Sequence, residues 1–548
     1  MLRLITQAFQ TRALTMDIKL CSLSQLSMFL ILCLFTSSIT ASKETTCNNT
    51  PFPKFCKSFI PESANIHNHG RFSIQRSISM TNNFLSLVNR YLQSPNTLPE
   101  NTVLLALKNC QLVAKLNLDF FSKALESIRS SDSIESLKAY DMHTLLSATL
   151  TNQQTCFAEL DALTSPSIPK NEFLVPLSNG SMLYSVSLAI FKHGWINTTR
   201  GRGRGRGRGR RNPDVPIPQD DGKLRLYPGG NVVNVTQKVV VDPSGNGNFT
   251  TINDAVAAAP NNTDGSNGYF LINIVAGVYE EYINIPVNKK YLMMIGAGIN
   301  QTIITGNRSI SDGLSTFNTG TFIVVGEGFV GVNMTIRNTA GAKNFQAVAL
   351  RSGADLSTFY RCSFEGYQDT LYAHSLRQFY RECDIYGTID FILGNAAVVL
   401  QNCNIYPRLP LQGQFDPITA QGRTDINQNT GTSIQNCTIT AAEDLATTKT
   451  YLGRPWKEYS RVVVIESFLD SLIDPAGWSI WDGDFALNTL YYGEYNNRGL
   501  GSDTSKRVTW PGYHVINSTD AGNFTVSNFL GGDSWLPKTG VPYNGGLL

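Results

Sequence analysis

Cys362-Ser-Phe-Glu-Gly-Tyr-Gln-Asp369 and Cys383-Asp-Ile-Tyr-Gly-Thr-Ile-Asp390 carry one pattern twice, 21 residues apart: an aspartate seven residues after a cysteine and three after a glycine. If 21 residues make one turn of a stacked β-coil, Asp369 and Asp390 lie one above the other at the spacing of neighbouring strands, about 4.8 Å. Two carboxylates that close do not ionise together. One holds its proton toward neutrality while the other stays anionic, the arrangement of a general acid beside a nucleophile or base.

The pattern extends outward. Phe359-Tyr-Arg-Cys362, Phe379-Tyr-Arg-Glu-Cys383, Leu400-Gln-Asn-Cys403 and Ile434-Gln-Asn-Cys437 place their cysteines at intervals of 21, 20 and 34, which are single coils followed by one coil with an inserted loop. Short β-branched runs at a period near 20 predict a solenoid from about residue 231 to 548, here a right-handed parallel β-helix in which like side chains stack coil on coil. Cys362, Cys383 and Cys403 then form a column in which at most one disulfide is accommodated. The one helical stretch expected there is Thr251 to Ala259, and Asp242-Pro-Ser-Gly-Asn-Gly-Asn248 lacks Walker spacing and reads as a turn.

The first part of the chain is of another kind. Arg3, Arg12 and Lys19 precede the apolar run Met28 to Phe35 and then small residues, which predicts a signal peptide over residues 1–41, too short in its apolar core to anchor in a bilayer. Residues 100–165 hold neither glycine nor proline, and the stripes Ala114, Leu118, Phe121, Leu125, Ile128 and Met142, Leu146, Thr149, Gln153, Phe157, Leu160 predict amphipathic helices. An all-α four-helix-bundle pro-domain over residues 42–195 therefore precedes the all-β part, with Cys110 and Cys156 able to clamp two helices and Cys47 and Cys56 a hairpin. His67, His69 and His143 stand alone in the sequence and read as surface or capping residues.

Residues 196–230, with the run Arg200 to Arg211 of alternating Arg and Gly and then a proline-rich stretch, read as a basic linker. That run holds seven of the 45 basic residues; without it 38 face 42 acidic ones, so no folded part calls for a nucleic-acid partner. Recurring Asn-x-Ser/Thr sequons suit a secreted glycoprotein.

Near the aspartates in sequence lie Gln346, Gln368, Arg454 and Trp456. Glutamine amides can donate to a developing oxyanion, a guanidinium can hold one carboxylate ionised, and an indole offers a face for a sugar. These suffice for ester hydrolysis through a covalent carboxylate intermediate, with Asp390 attacking and Asp369 handling the proton. The absence of Gly-x-Ser-x-Gly argues against a serine esterase. A retaining glycosidase also uses a close carboxylate pair, and a calcium-dependent lyase would need a denser acidic cluster than the sequence has. A catalytically silent wall-binding or inhibitor protein is the reading that intact Asp369, Asp390 and Arg454 oppose. His374 reads as a hydrogen-bonder of the scaffold.

Gly277-Val-Tyr-Glu-Glu281, Gln346-Ala-Val-Ala-Leu-Arg351, Gly366-Tyr-Gln-Asp-Thr-Leu-Tyr372, Gly387-Thr-Ile-Asp-Phe-Ile-Leu-Gly-Asn-Ala396 and Leu452-Gly-Arg-Pro-Trp456 resemble, in order, the signature blocks of plant pectinesterases. The helical first half is similar to the inhibitor-like pro-region many of them carry. The resemblance implies hydrolysis of the methyl esters of cell-wall pectin, with no metal or cofactor, by a secreted enzyme. It makes Asp369 the proton donor, Asp390 the nucleophile, Gln346 and Gln368 the anion stabilisers, and Thr316, Gln346, Arg454 and Trp456 substrate contacts. It further implies a Cys383–Cys403 disulfide and the pairs Cys47–Cys56 and Cys110–Cys156. The implied partners are methyl-esterified pectin, a processing protease at the linker, and the pro-domain acting on the catalytic domain in cis. Leu393 stands where the family commonly has Phe, and Lys223-Leu-Arg-Leu-Tyr227 replaces the usual dibasic processing signal.

Overall fold

The computed structural model describes residues 43–62, 65–93, 101–163, 169–196, 217–218 and 223–548. The expected signal peptide and most of the expected linker lie outside these residues.

Two short helices, α1 (Lys43–Asn48) and α2 (Pro53–Phe59), are tied by the Cys47–Cys56 disulfide. Four long ones follow: α3 (Ile66–Leu92), α4 (Asn101–Ile128), α5 (Ser136–Asp161) and α6 (Lys170–Phe191). Asn65 caps α3 by accepting from the Asn68 N–H at 2.9 Å. Cys110 and Cys156 join α4 to α5, as expected. Phe121, Leu146 and Leu150 sit in one apolar cluster between the helices with Tyr184 and Leu188 of α6.

From Val233 the chain winds through three sheets of 13, 8 and 7 strands, parallel except at the start of the first, where Lys223–Arg225 pairs antiparallel. The coil register is strict: Ser363 pairs with Asp384, Asp384 with Asn404, and Asn404 with Thr438. At the corner between the first and second sheets successive coils turn through a single left-handed residue, among them Arg361, Glu382, Asn402 and Asn436 with φ of 52°, 51°, 57° and 50°. None is β-branched, the class for which this conformation costs most. Inside the coil Phe329, Phe359 and Tyr380 form a ladder with ring centroids 5.5 and 5.0 Å apart. Each such ring buries enough apolar surface to contribute roughly 2–3 kcal/mol. The expected helix is present as Ile252–Ala258, with Thr251 as its N-cap.

The cysteine column is present, but the Cys383–Cys403 disulfide is not: Cys362, Cys383, Cys403 and Cys437 are all buried free thiols. In-register strands project equivalent side chains in parallel, so each sulfur reaches a carbonyl of the preceding coil and stays unbonded to the thiol stacked next to it. Cys383 Sγ donates to the carbonyls of Phe359 at 3.5 Å and Arg381 at 3.4 Å, and Cys403 Sγ to Tyr380 at 3.5 Å and Gln401 at 3.6 Å.

The bundle sits on the third sheet. Ser147 of α5 accepts from Gln428 through its carbonyl at 2.8 Å and from the Asn429 N–H through its hydroxyl at 3.2 Å, and Asp141 pairs with Arg377 at 2.6 Å. His143 is buried there, its Nε2 2.9 Å from the Asn427 carbonyl, and His69 is buried against Thr46 and Pro61. Neither is the surface residue its sequence isolation suggested, because both face a neighbouring element that lies far from them in the chain.

Candidate active site

The outward faces of the third sheet make the floor of a cleft. Tyr372 pairs with Leu393, Leu393 with Ala420, and Ala420 with Arg454, so these four form one outward row. Two residues further along each strand, His374, Asn395, Gly422 and Trp456 form the next. Gly422 has to be glycine, since a Cβ there would stand 2.8 Å from the Trp456 ring.

Asp369 and Asp390 lie at equivalent corners of adjacent coils, two residues before the paired Leu371 and Ile392. Both have positive φ, 65° and 54°, and both are buried. Aspartate tolerates this conformation better than most residues. Backbone bonds fix the corners, Asp369 N–H donating to Ile389 at 3.1 Å and Asp390 N–H to Pro417 at 2.7 Å.

The two carboxylates differ in their partners. Asp390 accepts from Arg454 twice, Oδ1 from Nε at 2.9 Å and Oδ2 from Nη2 at 2.7 Å. Arg454 is itself held under the Trp481 ring, 4.4 Å from its centroid. Burial pushes the Asp390 carboxyl above its ordinary value, and the two bonds from Arg454 oppose that push. Asp369 has no such cation bound to it. Burial, then the negative charge of Asp390, raise its carboxyl far above the usual range, with Arg454 a weaker counterweight. Of the two, Asp369 is the carboxyl favoured to hold a proton.

Gln346 and Gln368, half-buried, line the same cavity of about 430 Å³ as the aspartates, with Thr316 and Trp456. They come from neighbouring coils: the Ala347 N–H, beside Gln346, donates to the Gln368 carbonyl at 3.1 Å. Among the described residues Gln346 Oε1 has no hydrogen-bond partner, which leaves that amide free to turn toward a ligand.

A family model described as Pectinesterase matches residues 238–533, and one described as Plant invertase/pectin methylesterase inhibitor matches residues 41–190. "Probable pectinesterase/pectinesterase inhibitor 20" of Arabidopsis thaliana is 52% identical over 530 residues, covering 92% of this chain and 94% of the relative. "Pectinesterase 2" of Citrus sinensis is 46% identical over 519 residues, covering 91% of this chain. The solved pectin methylesterase from carrot, 52% identical, superposes with a TM-score of 0.55 over 56% of this chain and 98% of its own. The chain belongs to the plant pectinesterases that carry an N-terminal inhibitor domain.

In this pectinesterase the cleft is not open on all sides. Thr151, Thr155 and Glu159 of α5 form a wall of the cavity. Leu160 of α5 and Val113 of α4 join Phe317, Tyr372, Leu393 and Trp456 in one apolar cluster. His374 is the scaffold hydrogen-bonder expected, but its Nε2 partner is Thr155 at 2.9 Å, across the junction of the two halves.

Sequence reasoning missed Phe317, Trp481 and Arg351. Phe317 lines the cleft with the guanidinium of buried Arg351 stacked 3.5 Å from its ring centroid, and burial brings Arg351 down to about 10. The stretch Trp478-Ser-Ile-Trp481 was the available signal for Trp481, since an indole left 36% exposed beside a site has no packing reason to be there.

Proposed function

We propose that this pectinesterase hydrolyses methyl esters of homogalacturonan through Asp390 as nucleophile and Asp369 as proton donor and acceptor. The observation that carries this is the asymmetry of the pair: one carboxylate bound twice by Arg454, the other, one coil away, favoured to keep its proton by burial and by the charge of its neighbour.

Asp390 Oδ attacks the ester carbonyl carbon, and the resulting oxyanion takes hydrogen bonds from the amides of Gln346 and Gln368. Collapse breaks the bond to the methoxy oxygen, which leaves as methanol with the proton from Asp369. Asp369, now anionic, takes a proton from water as that water attacks the acyl–Asp390 anhydride, which returns both groups to their starting states and frees the galacturonate. Arg454 keeps Asp390 in its attacking orientation, and Trp456 with Thr316 seats the sugar. The chain length of the polymer is unchanged, which separates this chemistry from a glycosidase or lyase on the same scaffold.

The helical half acts in cis as a cover. With α5 forming a wall of the cavity, a polymer cannot lie along the floor until the bundle moves, so the intact chain is a latent form released by cutting between the halves. Secretion to the cell wall, domain limits near residues 42–195 and 231–548, and a protease acting within residues 196–230 complete this reading.

Asp390→Asn keeps the shape and removes the nucleophile. It is expected to lower methanol release from methylated pectin by at least a thousandfold while the circular dichroism and melting curve stay those of a folded protein. Full activity in this variant sinks the mechanism.

A further inference from the structure

Helix α5 lays one stripe of its surface into the cleft: Thr151, Thr155 and Glu159, four residues and so about 6 Å apart along the axis. Each meets a group of the β-helix. Thr151 Oγ1 accepts from Asn395 Nδ2 at 2.8 Å, and Thr155 Oγ1 lies 2.9 Å from His374 Nε2. The Glu159 carboxylate faces Ser315, next to Thr316, across the cavity both line, and is steadied within the bundle by Asn109 Nδ2 at 3.0 Å.

The receiving groups are fixed from behind by their own domain. Asn395 Oδ1 accepts from the Thr430 hydroxyl at 2.6 Å and from Gln421 Nε2 at 3.1 Å, so only the NH2 edge of the amide faces the cleft. His374 Nδ1 is held by the Ser375 hydroxyl at 2.9 Å, and the imidazole is wedged against Phe317 and Tyr372 at 5.2 and 5.4 Å. Thr155 donates its one hydroxyl proton to the Thr151 carbonyl at 2.9 Å, so Nε2–H donates to Thr155 Oγ1 and Nδ1 accepts from Ser375. The cleft thus offers a donor from Asn395 and a donor from His374, and α5 answers each with the oxygen of a hydroxyl. Both residues stand in the same outward row as Trp456. Once the bundle leaves they face the cavity unpaired, which costs free energy unless another hydroxyl-bearing ligand takes over.

Two hydroxyls and a carboxylate presented in line are the polar groups of a uronic acid polymer. We propose that α5 imitates a galacturonan chain, and that Asn395, His374 and Ser315 are sugar-binding positions of the uncovered cleft. Asn395 and His374 take ring hydroxyls, and Ser315 takes the carboxylate of a de-esterified unit. The inference rests on the cleft being the pectin site.

The test uses the full chain with a site-specific protease sequence placed within residues 197–216, assayed intact and after cutting. His374→Phe keeps the ring packing and removes the Nε2–H donor. After cutting and dilution it is expected to raise KM for methylated oligogalacturonides roughly three- to tenfold, with a smaller fall in kcat, and to weaken re-inhibition by the released bundle by a similar factor. Ser315→Ala, on the surface loop, is expected to raise KM only for substrates that carry free carboxylates. Thr155→Val is expected to weaken re-inhibition alone. If His374→Phe and Ser315→Ala both weaken re-inhibition but leave KM unchanged, these residues serve docking only and the proposal is overturned. If the cut wild type releases no methanol, the pectinesterase reading has failed instead.

Discussion

At the scale of single residues, burial does most of the electrostatic work. Asp369 and Asp390 were legible because a period of 21 and a shared glycine mark them, and so was the expectation that they ionise unequally; the two bonds by which Arg454 grips Asp390 come only with the fold. Asp416 gave no sequence signal at all. It is fully buried on the strand Asp416–Gln421, opposite Thr450, and among the described residues neither of its oxygens nor the Thr450 hydroxyl has a hydrogen-bond partner. Burial alone pushes its carboxyl up to about 8 from 3.8. The folded state therefore binds a proton that the unfolded chain gives up near pH 4. Its stability contribution is complete below that pH and is lost as pH rises from about 4 through 8. Asp416→Asn carries no such proton. It is expected to melt with the wild type at pH 4 and to be more stable by roughly 1–3 kcal/mol at pH 7, allowing for the unpaired amide it leaves. Thermal melts of both proteins across pH 4 to 9 check this; parallel curves would show that Asp416 titrates normally.

At the scale of elements, strand starts and helix faces came through in the sequence because each obeys a local period. The cysteine column shows where that stops. Its repeat fixed the positions of Cys362, Cys383, Cys403 and Cys437, but not their chemistry, since a stack that sets cysteines one coil apart also aims every sulfur at the same carbonyl row. The helical half is the reverse: Cys110 and Cys156 sit on packed helices that place them face to face, and they bond. That bond closes 46 residues and ends on α5 directly beside Thr155, so it stiffens the wall of the cleft as well as the bundle. Replacing both cysteines by alanine is expected to cost roughly 2–4 kcal/mol in urea unfolding of the helical half. The same variant should raise methanol release by the intact chain several-fold, with no change in the activity of the cut chain. Unaltered latency would show that α5 needs no support from α4 to stay in place.

At the scale of the whole molecule, composition separated the two halves, yet nothing in the sequence showed how they meet. Docking depends on residues such as Thr151, Ser147 and Asn427, scattered over nearly 300 positions with no period of their own. His143 is the clearest case. It is fully enclosed at the junction, and burial lowers it to about 4, helped by the positive charges of Lys192, Arg461 and Arg423, while only the Asn427 carbonyl favours the charged form. A histidine that must stay neutral when covered supports docking fully above about 6.5, its free value, and withdraws that support as pH falls from 6.5 toward 4. Asp141 and Glu159, raised chiefly by burial and facing Arg377 and Ser315, act in the opposite sense: their support is complete at low pH and lost as pH rises through their elevated values. Over the acid range the two effects therefore oppose each other, His143 loosening the cover as pH falls and the two carboxyls tightening it. His143→Gln can still donate to the Asn427 carbonyl but does not titrate. In this variant, the ratio of intact to cut activity is expected to match the wild type at pH 6.5 and to fall progressively below it as pH drops from 6 to 4. Equal ratios for the two proteins across that range would assign any acid release to groups other than His143.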